Sequence, residues 1–495
     1  MSLINITNLT FAYDGGYDNI FENVSFQIDT DWKLGFTGRN GRGKTTFLNL
    51  LLGKYEYKGN ISASVDFEYF PYEVPDMSLN AMDIAEEIYS DLQYWQIVKE
   101  LNILEADEEI LYRPFYTLSN GERTKVLLAA MFLRENSFLL IDEPTNHLDM
   151  RGRELVSRYL NTKKGFILVS HDRSFLDGCI DHVLSINKAD IEIQRGNFSS
   201  WLVNKERRDS FELAENNKLK KEIKRLETTA KEKSRWSDIA ESRKVITDPL
   251  KVDNKMGNGP LQAARAKKQM KRAKAIEKRQ QNAIEEKSAL LKNIEASDQL
   301  KIYQSDFRVS RLATIEKLSV NYGEAPVFSD ISFEINKGDR IALQGKNGSG
   351  KSTLIKLICG ENIPYTGTLD IGGGLTISYV SQDTSGITGR LSSYSEKLGV
   401  PDSLFRAMLS KLNFTRLDLD RKIEELSEGE KKKVMIAGSL CERAHLHIWD
   451  EPLNFIDVIS RMQIEELLIR FKPTMLFVEH DRAFAEKVAN KMIEL

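Results

Sequence analysis

Short apolar runs alternate with amphipathic stretches through residues 3–200, and the same rhythm returns after residue 306. Leu34-Gly35-Phe36-Thr37, Phe138-Leu139-Leu140-Ile141 and Gly165-Phe166-Ile167-Leu168-Val169 have the length and unbroken hydrophobicity of strands covered on both faces. In the second half Ile341-Ala342-Leu343, Leu446-His447-Ile448-Trp449 and Met475-Leu476-Phe477-Val478 hold the corresponding places. Such runs, separated by helical patterns, predict an α/β fold with a mostly parallel sheet under a coat of helices, built twice. Between the halves the period lengthens. Leu219, Ile223, Leu226 and Ala230 recur at spacings of 4, 3 and 4, Ala266, Met270 and Ala273 follow the same rule, and Ile284, Leu291 and Ile294 continue the stripe. Breakers occur only in the middle, at Thr247-Asp248-Pro249 and Gly257-Asn258-Gly259-Pro260. The pattern predicts a long antiparallel helical hairpin over 205–305, its tip near 246–260, between a first domain at 1–204 and a second at 306–495. A helix of about 40 residues is roughly 60 Å long, so the tip would project far from both domains.

At 495 residues the chain has room for two or three domains, each with its own core. Cys179, Cys359 and Cys441 are scattered, which argues against a disulfide framework or a cysteine metal site and fits a reduced cytoplasm. No run of 18 apolar residues occurs, and Met1-Ser2-Leu3-Ile4-Asn5 lacks the features of a secretory signal, so neither export nor a membrane span is expected. The net charge of −3 conceals an asymmetry: Lys205 to Lys301 carries 26 Lys and Arg against 16 Asp and Glu, a surplus of ten, leaving −13 on the rest. A basic segment between acidic domains points to an anionic partner for that segment; the plainer alternative is a solvated charged helix.

The repeated halves carry matching chemistry. The phosphate-binding pattern G-x-x-x-x-G-K-[ST] occurs as Gly38-Arg39-Asn40-Gly41-Arg42-Gly43-Lys44-Thr45 and as Gly345-Lys346-Asn347-Gly348-Ser349-Gly350-Lys351-Ser352. Its glycines let backbone N–H groups surround phosphates, Lys44 and Lys351 reach the terminal phosphates, and Thr45 and Ser352, followed by Thr46 and Thr353, supply hydroxyls to Mg²⁺. Each loop is followed by Leu118-Ser119-Asn120-Gly121-Glu122 or Leu426-Ser427-Glu428-Gly429-Glu430, then by Asp142-Glu143 or Asp450-Glu451, then by His171 or His480. Both serines precede the aspartates by 23 residues. Asp142 and Asp450 end apolar strands, where a carboxylate can hold Mg²⁺, and Glu143 and Glu451 can accept the proton of an attacking water. His171 and His480, each followed by Asp-Arg, are placed to sense the γ phosphate. Two nucleotide-hydrolysing domains, using ATP and Mg²⁺, therefore share the chain.

These elements resemble the ATPase domains of the ABC superfamily. The resemblance implies head-to-tail pairing within one monomer, Lys44 sharing a site with Ser427 and Gly429, and Lys351 with Ser119 and Gly121. It also matches Tyr13 and Tyr322 to an adenine-stacking aromatic, and Gln382 of Tyr379-Val380-Ser381-Gln382 to a glutamine that senses the γ phosphate and metal. The first copy reads Phe70-Pro71-Tyr72 there and has no glutamine; Asn120 and Glu428 stand where a second glycine is usual, and Leu453 and Phe455 replace the Thr145 and His147 of the first copy. These departures leave equal turnover at the two sites open.

Two such domains fused through a basic hairpin, without a membrane segment, resemble the ABC-F translation factors. Lys44 to Ser119 spans 75 residues and Lys351 to Ser427 spans 76, so no extra arm is inserted in the first domain. With Trp32-Lys33-Leu34-Gly35, Phe211-Glu212-Leu213-Ala214-Glu215-Asn216 and Ile448-Trp449-Asp450-Glu451-Pro452-Leu453-Asn454, the chain is most similar to the Lsa type of antibiotic-resistance protein. That resemblance implies a ribosome-bound ATPase whose hairpin enters the E site, next to tRNA and rRNA near the peptidyl-transferase centre, and protects against lincosamides, pleuromutilins and streptogramin A compounds. Between Arg243 and Arg279 the chain has 12 basic residues against Asp248, Asp253 and Glu277, a surplus suited to sequence-independent phosphate contacts. Arg243, Lys244, Lys251, Lys255, Arg265, Lys267, Lys268, Lys271 and Arg272 are the candidate RNA contacts, while Trp236, Val245, Ile246, Leu250 and Met256 either pack against RNA or close the hairpin. A housekeeping translation factor, a DNA-associated ATPase and, last, a transporter subunit remain as alternatives.

Overall fold

The computed structural model describes residues 2–13, 19–38, 43–146, 148–187, 190–211, isolated positions between 214 and 228, residue 307, 309–322 and 325–495. The hairpin tip, the RNA candidates from Arg243 to Arg272, Asn40, Gly41 and the side chain of Tyr322 lie outside the described residues. Met1–Trp201 and Asp298–Leu495 form one compact unit and Leu202–Ser297 another; the first unit holds both halves of the repeat.

In the first half, β1 (Leu3–Phe11), β2 (Phe21–Asp29), β3 (Lys33–Thr37), β4 (Lys58–Ser62), β5 (Asp66–Phe70), β6 (Ser137–Asp142), β7 (Phe166–Val169), β8 (His182–Asn187) and β9 (Asp190–Arg195) make two sheets. One is antiparallel in the order β2-β1-β4, the other runs β5-β6-β7-β3-β8-β9 and is parallel up to its β8–β9 edge. The helices are α1 (Lys44–Leu51), α2 (Ala81–Ile88), α3 (Tyr94–Ile103), α4 (Asn120–Leu133), α5 (Met150–Thr162) and α6 (Arg173–Cys179). The second half repeats this with β10 (Arg311–Tyr322), β11 (Ala325–Asn336), β12 (Arg340–Gln344), β13 (Thr366–Ile371), β14 (Ile377–Val380), β15 (Leu446–Asp450), β16 (Met475–Val478) and β17 (Lys491–Glu494). Its antiparallel sheet is β11-β10-β13 and its parallel sheet β14-β15-β16-β12-β17, with α7 (Lys351–Ile358), α8 (Leu391–Lys397), α9 (Asp402–Lys411), α10 (Glu428–Cys441), α11 (Val458–Phe471) and α12 (Arg482–Val488).

The central strands are covered on both faces, which is why they read as continuous apolar runs: every residue of β7, β15 and β16 is buried. Phe47 of α1 packs between Phe21, Phe26 and Phe36, at ring separations of 6.0, 5.9 and 5.5 Å, and so pins the glycine loop's helix to both sheets of the first domain. In the second domain Leu354 holds the place of Phe47, and Trp449 of β15 belongs to a separate core with Phe405, Met408, Phe477 and Phe484.

The cores differ where β14 meets β15. His447 of β15 is buried, its Nδ1 3.1 Å from Ser439 Oγ, which also accepts the Trp449 indole N–H at 2.9 Å. Ser378 lies 2.9 Å from Ser439 and hydrogen-bonds Glu442. Strand register places Leu139 and Glu68 of the first domain where His447 and Ser378 stand in the second, and there Glu68 pairs with Arg134 at 2.6 Å instead. His447 Nε2 is buried with no hydrogen-bond partner, and burial pushes the imidazole pKa down to about 4. The folded protein therefore keeps His447 neutral while the unfolded chain protonates it near 6.5, so stability falls as pH drops from about 6.5 towards 4, by ~3 kcal/mol in full. His447→Leu, which installs the residue of the first domain, is expected to flatten this acid limb in chemical-denaturation curves at pH 7 and pH 5; an unchanged difference between the two pH values would contradict it.

Candidate ATP sites

Each glycine loop ends in a residue that must be glycine. Gly43 (φ 92°) and Gly350 (φ 89°) cap α1 and α7 in the left-handed region. A Cβ on Gly43 would lie 2.6 Å from Ile20 Cγ2, and one on Gly350 2.5 Å from Val327 Cγ1. Immediately beyond them Lys44 and Lys351 are buried, and their amines fold back on the loops: Lys44 Nζ donates to the Gly38 carbonyl at 2.8 Å, Lys351 Nζ to those of Gly345 and Lys346 at 2.9 and 2.8 Å. Asn347 and Gly348 form the turn of the second loop, with Gly348 at φ 82°. Burial lowers both lysine pKa values, opposed by nearby carboxylates. Tyr13 places its hydroxyl 2.8 Å from Thr46 Oγ1 and packs edge-on to Phe11 and Tyr55, leaving its ring half exposed beside the loop.

The strand-end aspartates face the first turn of these helices. Thr45 Oγ1 donates to Asp142 Oδ2 at 3.4 Å, and the Tyr69 hydroxyl to the same oxygen at 3.0 Å. Burial raises the pKa of Asp142 and of Asp450, against hydrogen bonds from Tyr69 and Thr45 in one case and Ser352 in the other. Asp450 Oδ1 is buried without a hydrogen-bond partner. A desolvated carboxylate oxygen beside a hydroxyl is a donor set that fits a hard divalent cation such as Mg²⁺.

Glu143 and Glu451 adopt left-handed backbone, with φ 50° and 46°, a conformation costly for glutamate and held by N–H bonds to Val169 at 2.9 Å and Val478 at 3.1 Å. Their histidines follow: His171 Nε2 is 3.3 Å from Glu143 Oε1, His480 Nε2 3.2 Å from Glu451 Oε1. The surroundings then diverge. Gln382 Nε2 and Asn454 Nδ2 both donate to Glu451 Oε2, at 2.9 and 2.8 Å. Burial acts to raise the Glu451 pKa, but the His480 and Asn454 hydrogen bonds outweigh it and the net shift is downward. Burial pushes Glu143 up to about 8, with Asp142 adding to it and Arg461, Lys44 and Arg153 opposing.

Ser119 and Ser427 cap α4 and α10 through reciprocal boxes: each serine oxygen accepts the N–H of Glu122 or Glu430, whose carboxylate accepts the serine N–H at 2.8 Å in both copies. Gly121 and Gly429 lie in the first turns that follow.

Sequence reasoning passed over the residues that bridge the domains. Asp457 caps α11, bonds Lys433 Nζ at 2.8 Å and is the leading carboxylate opposing the burial of Lys44 in the other domain; Asp149, which caps α5, acts on Lys351 in the same sense, behind Glu451. Burial would raise the Asp457 carboxyl, but Lys433 and the Ser460 N–H and hydroxyl hold it well below the usual carboxylate range. Arg153 ties the turn before α5 to Asp172, beside His171, at 2.9 Å, and Arg461 makes the matching contact to Asp481 at 3.6 Å. The available signal was the recurrence of Asp149 and Asp457 at the same distance behind their glutamates, and of Asp-Arg after both histidines. Arg173 joins the domains directly, bonding Glu465 at 2.5 Å with both side chains buried; its counterpart Arg482 reaches Glu154 at 3.2 Å in solvent.

Two P-loop ATPase domains with shared electrostatics define the class. The ABC transporter family profile matches residues 21–146 and 328–454, and the chain belongs to that family. Among its relatives are ABC-F proteins, and the chain is an ABC-F-type ATPase that hydrolyses ATP. It is 27% identical to the ribosome protection protein VmlR of Bacillus subtilis (strain 168) over 99% of this chain and 86% of that one. It is 25% identical to the energy-dependent translational throttle protein EttA of Escherichia coli (strain K12), over 96% and 89%. Its fold is similar to the archaeal ribosome recycling factor aABCE1 solved with a ribosomal stalk protein, with TM-score 0.63 and 19% identity over 98% of this chain and 87% of that one. The described residues contain no helix long and apolar enough to cross a membrane.

Arg173→Ala should cost about 2 kcal/mol in urea unfolding, since it deletes a buried charge-assisted hydrogen bond while Lys487 stays 2.9 Å from Glu465. Arg482→Ala should shift the midpoint little. Equal effects of the two changes would show that burial does not govern the contact.

Proposed function

We propose that the protein is a cytoplasmic, ATP-dependent ribosome protection factor of the Lsa type, acting as a monomer. The observation that carries the reading is the presence of two phosphate-loop domains in one chain, with the Asp457 carboxylate acting electrostatically on Lys44 and Asp149 on Lys351 from the opposite half, joined to a segment with ten surplus positive charges. Similarity to VmlR across nearly the whole chain supports it.

In this reading the N–H groups of the two glycine loops and the amines of Lys44 and Lys351 bind the phosphates, and the halves close over two ATP molecules. Thr45 with Asp142, and Ser352 with Asp450 and Gln382, would hold Mg²⁺, which when bound neutralises phosphate charge. Ser119 and Gly121, and Ser427 and Gly429, complete the opposite sites at helix N-termini. Glu143 and Glu451 orient and deprotonate the attacking water, steadied by His171 and His480. The closed form fits a ribosome whose peptidyl-transferase centre holds a drug, and the basic hairpin moves tRNA or rRNA so that the drug leaves. Hydrolysis permits release. EttA, whose name describes a translational throttle, supports a second reading in which the chain regulates translation without protecting against drugs.

Combined Glu143→Gln and Glu451→Gln substitutions should hold the protein on 70S ribosomes in ATP-dependent cosedimentation; equal binding with and without nucleotide would defeat the reading. Deleting Thr247 to Gly259 should abolish tolerance to lincomycin and a pleuromutilin while ATPase activity stays within about twofold. If the intact protein confers no tolerance yet is retained on ribosomes, the second reading replaces the first.

A further inference from the structure

Lys432 is a charged side chain that neither the repeat nor the phosphate chemistry accounts for. It stands in α10, five residues beyond Ser427, where the first domain has Thr124. The side chain is buried to 1% exposure, and its amine donates to the Ser381 carbonyl at 2.9 Å and the Glu451 carbonyl at 3.3 Å. Ser381 precedes Gln382, whose amide donates to the Glu451 carboxylate. One ammonium therefore links the backbone of the glutamine-bearing loop to the backbone of the proton-accepting glutamate, while their side chains meet above it.

A second buried substitution accompanies it, a glutamate whose own pKa is raised by burial. Glu479 stands beside His480 where the first domain has Ser170; it is buried and exerts the strongest of the carboxylate fields on Lys432. Its Oε1 accepts the Leu453 N–H at 2.7 Å, in the turn after Glu451. In the first domain the corresponding residues are neutral: Thr124 bonds its own helix at the Asn120 carbonyl, and Thr145 lies 3.3 Å from Ser170. The lysine, the glutamate and Gln382 occur together in the second domain and are all missing from the first.

We infer that Lys432 is a positioning residue of the second ATP site, fixing the Ser381–Gln382 loop against Glu451 so that this carboxylate is held in one orientation. The inference rests on Glu451 as the proton acceptor. The informative variant is Lys432→Thr with Glu479→Ser, which reinstates the neutral residues of the first domain. It should fold, with an unchanged far-UV spectrum, and lose roughly ten- to hundredfold in second-site kcat while KM for ATP moves little. Added to Glu451→Gln, where the remaining turnover belongs to the first site, the same pair should cause no further loss. A pair variant that unfolds, hydrolyses at the native rate, loses ATP affinity in step with kcat, or slows the Glu451→Gln protein further overturns the inference. If Glu451→Gln by itself leaves total turnover intact, the reading of Glu451 fails, and the positioning role fails with it.

Discussion

The structure depends on keeping two ammonium groups, Lys44 and Lys351, in sites too dry to hold a lone charge. Each amine donates to carbonyls of its own loop, but a buried amine without opposing charge is expensive. The opposing charge comes partly from each lysine's own strand-end carboxylates and partly across the interface, from Asp457 and Asp149. Either domain alone would leave its lysine short of counter-charge. The covalent fusion of two ATPases in one chain therefore has an electrostatic logic beyond convenience of assembly.

Within that shared frame the two sites are unequal. Glu451 is gripped by His480, Gln382 and Asn454 and is biased toward its ionised form, whereas Glu143 has His171 and is pushed toward protonation by its burial. The aspartates differ in the same sense: Asp142 already accepts from Tyr69 and Thr45, while Asp450 keeps one buried oxygen free of hydrogen bonds. The second site thus holds its strand-end glutamate with more hydrogen bonds than the first.

The parallel sheet and the phosphate loops were legible in the sequence because they depend on local chemistry: unbroken apolar runs for strands buried on both faces, and glycines where a Cβ would collide with Ile20 or Val327. The serines and glutamates of the caps were equally readable, since a Ser-x-x-Glu box lies within one turn. The recurrence of Asp149 and Asp457 and of Asp-Arg marked positions but not roles, because the groups that Asp457 and Arg173 act on, Lys44 and Glu465, belong to the other half. Lys432 and Glu479 were hidden differently. Each is a charged residue, and only its burial in three dimensions distinguishes it from a surface charge. The left-handed backbone at Glu143 and Glu451 likewise has no signature in side-chain type.

The contrast between the dry Arg173–Glu465 bond and the wet Arg482–Glu154 bond bears on how the two halves part. Ionic strength screens the solvent-bathed contact and barely touches the sequestered one. Raising the salt concentration would therefore loosen one link between the halves and spare the other.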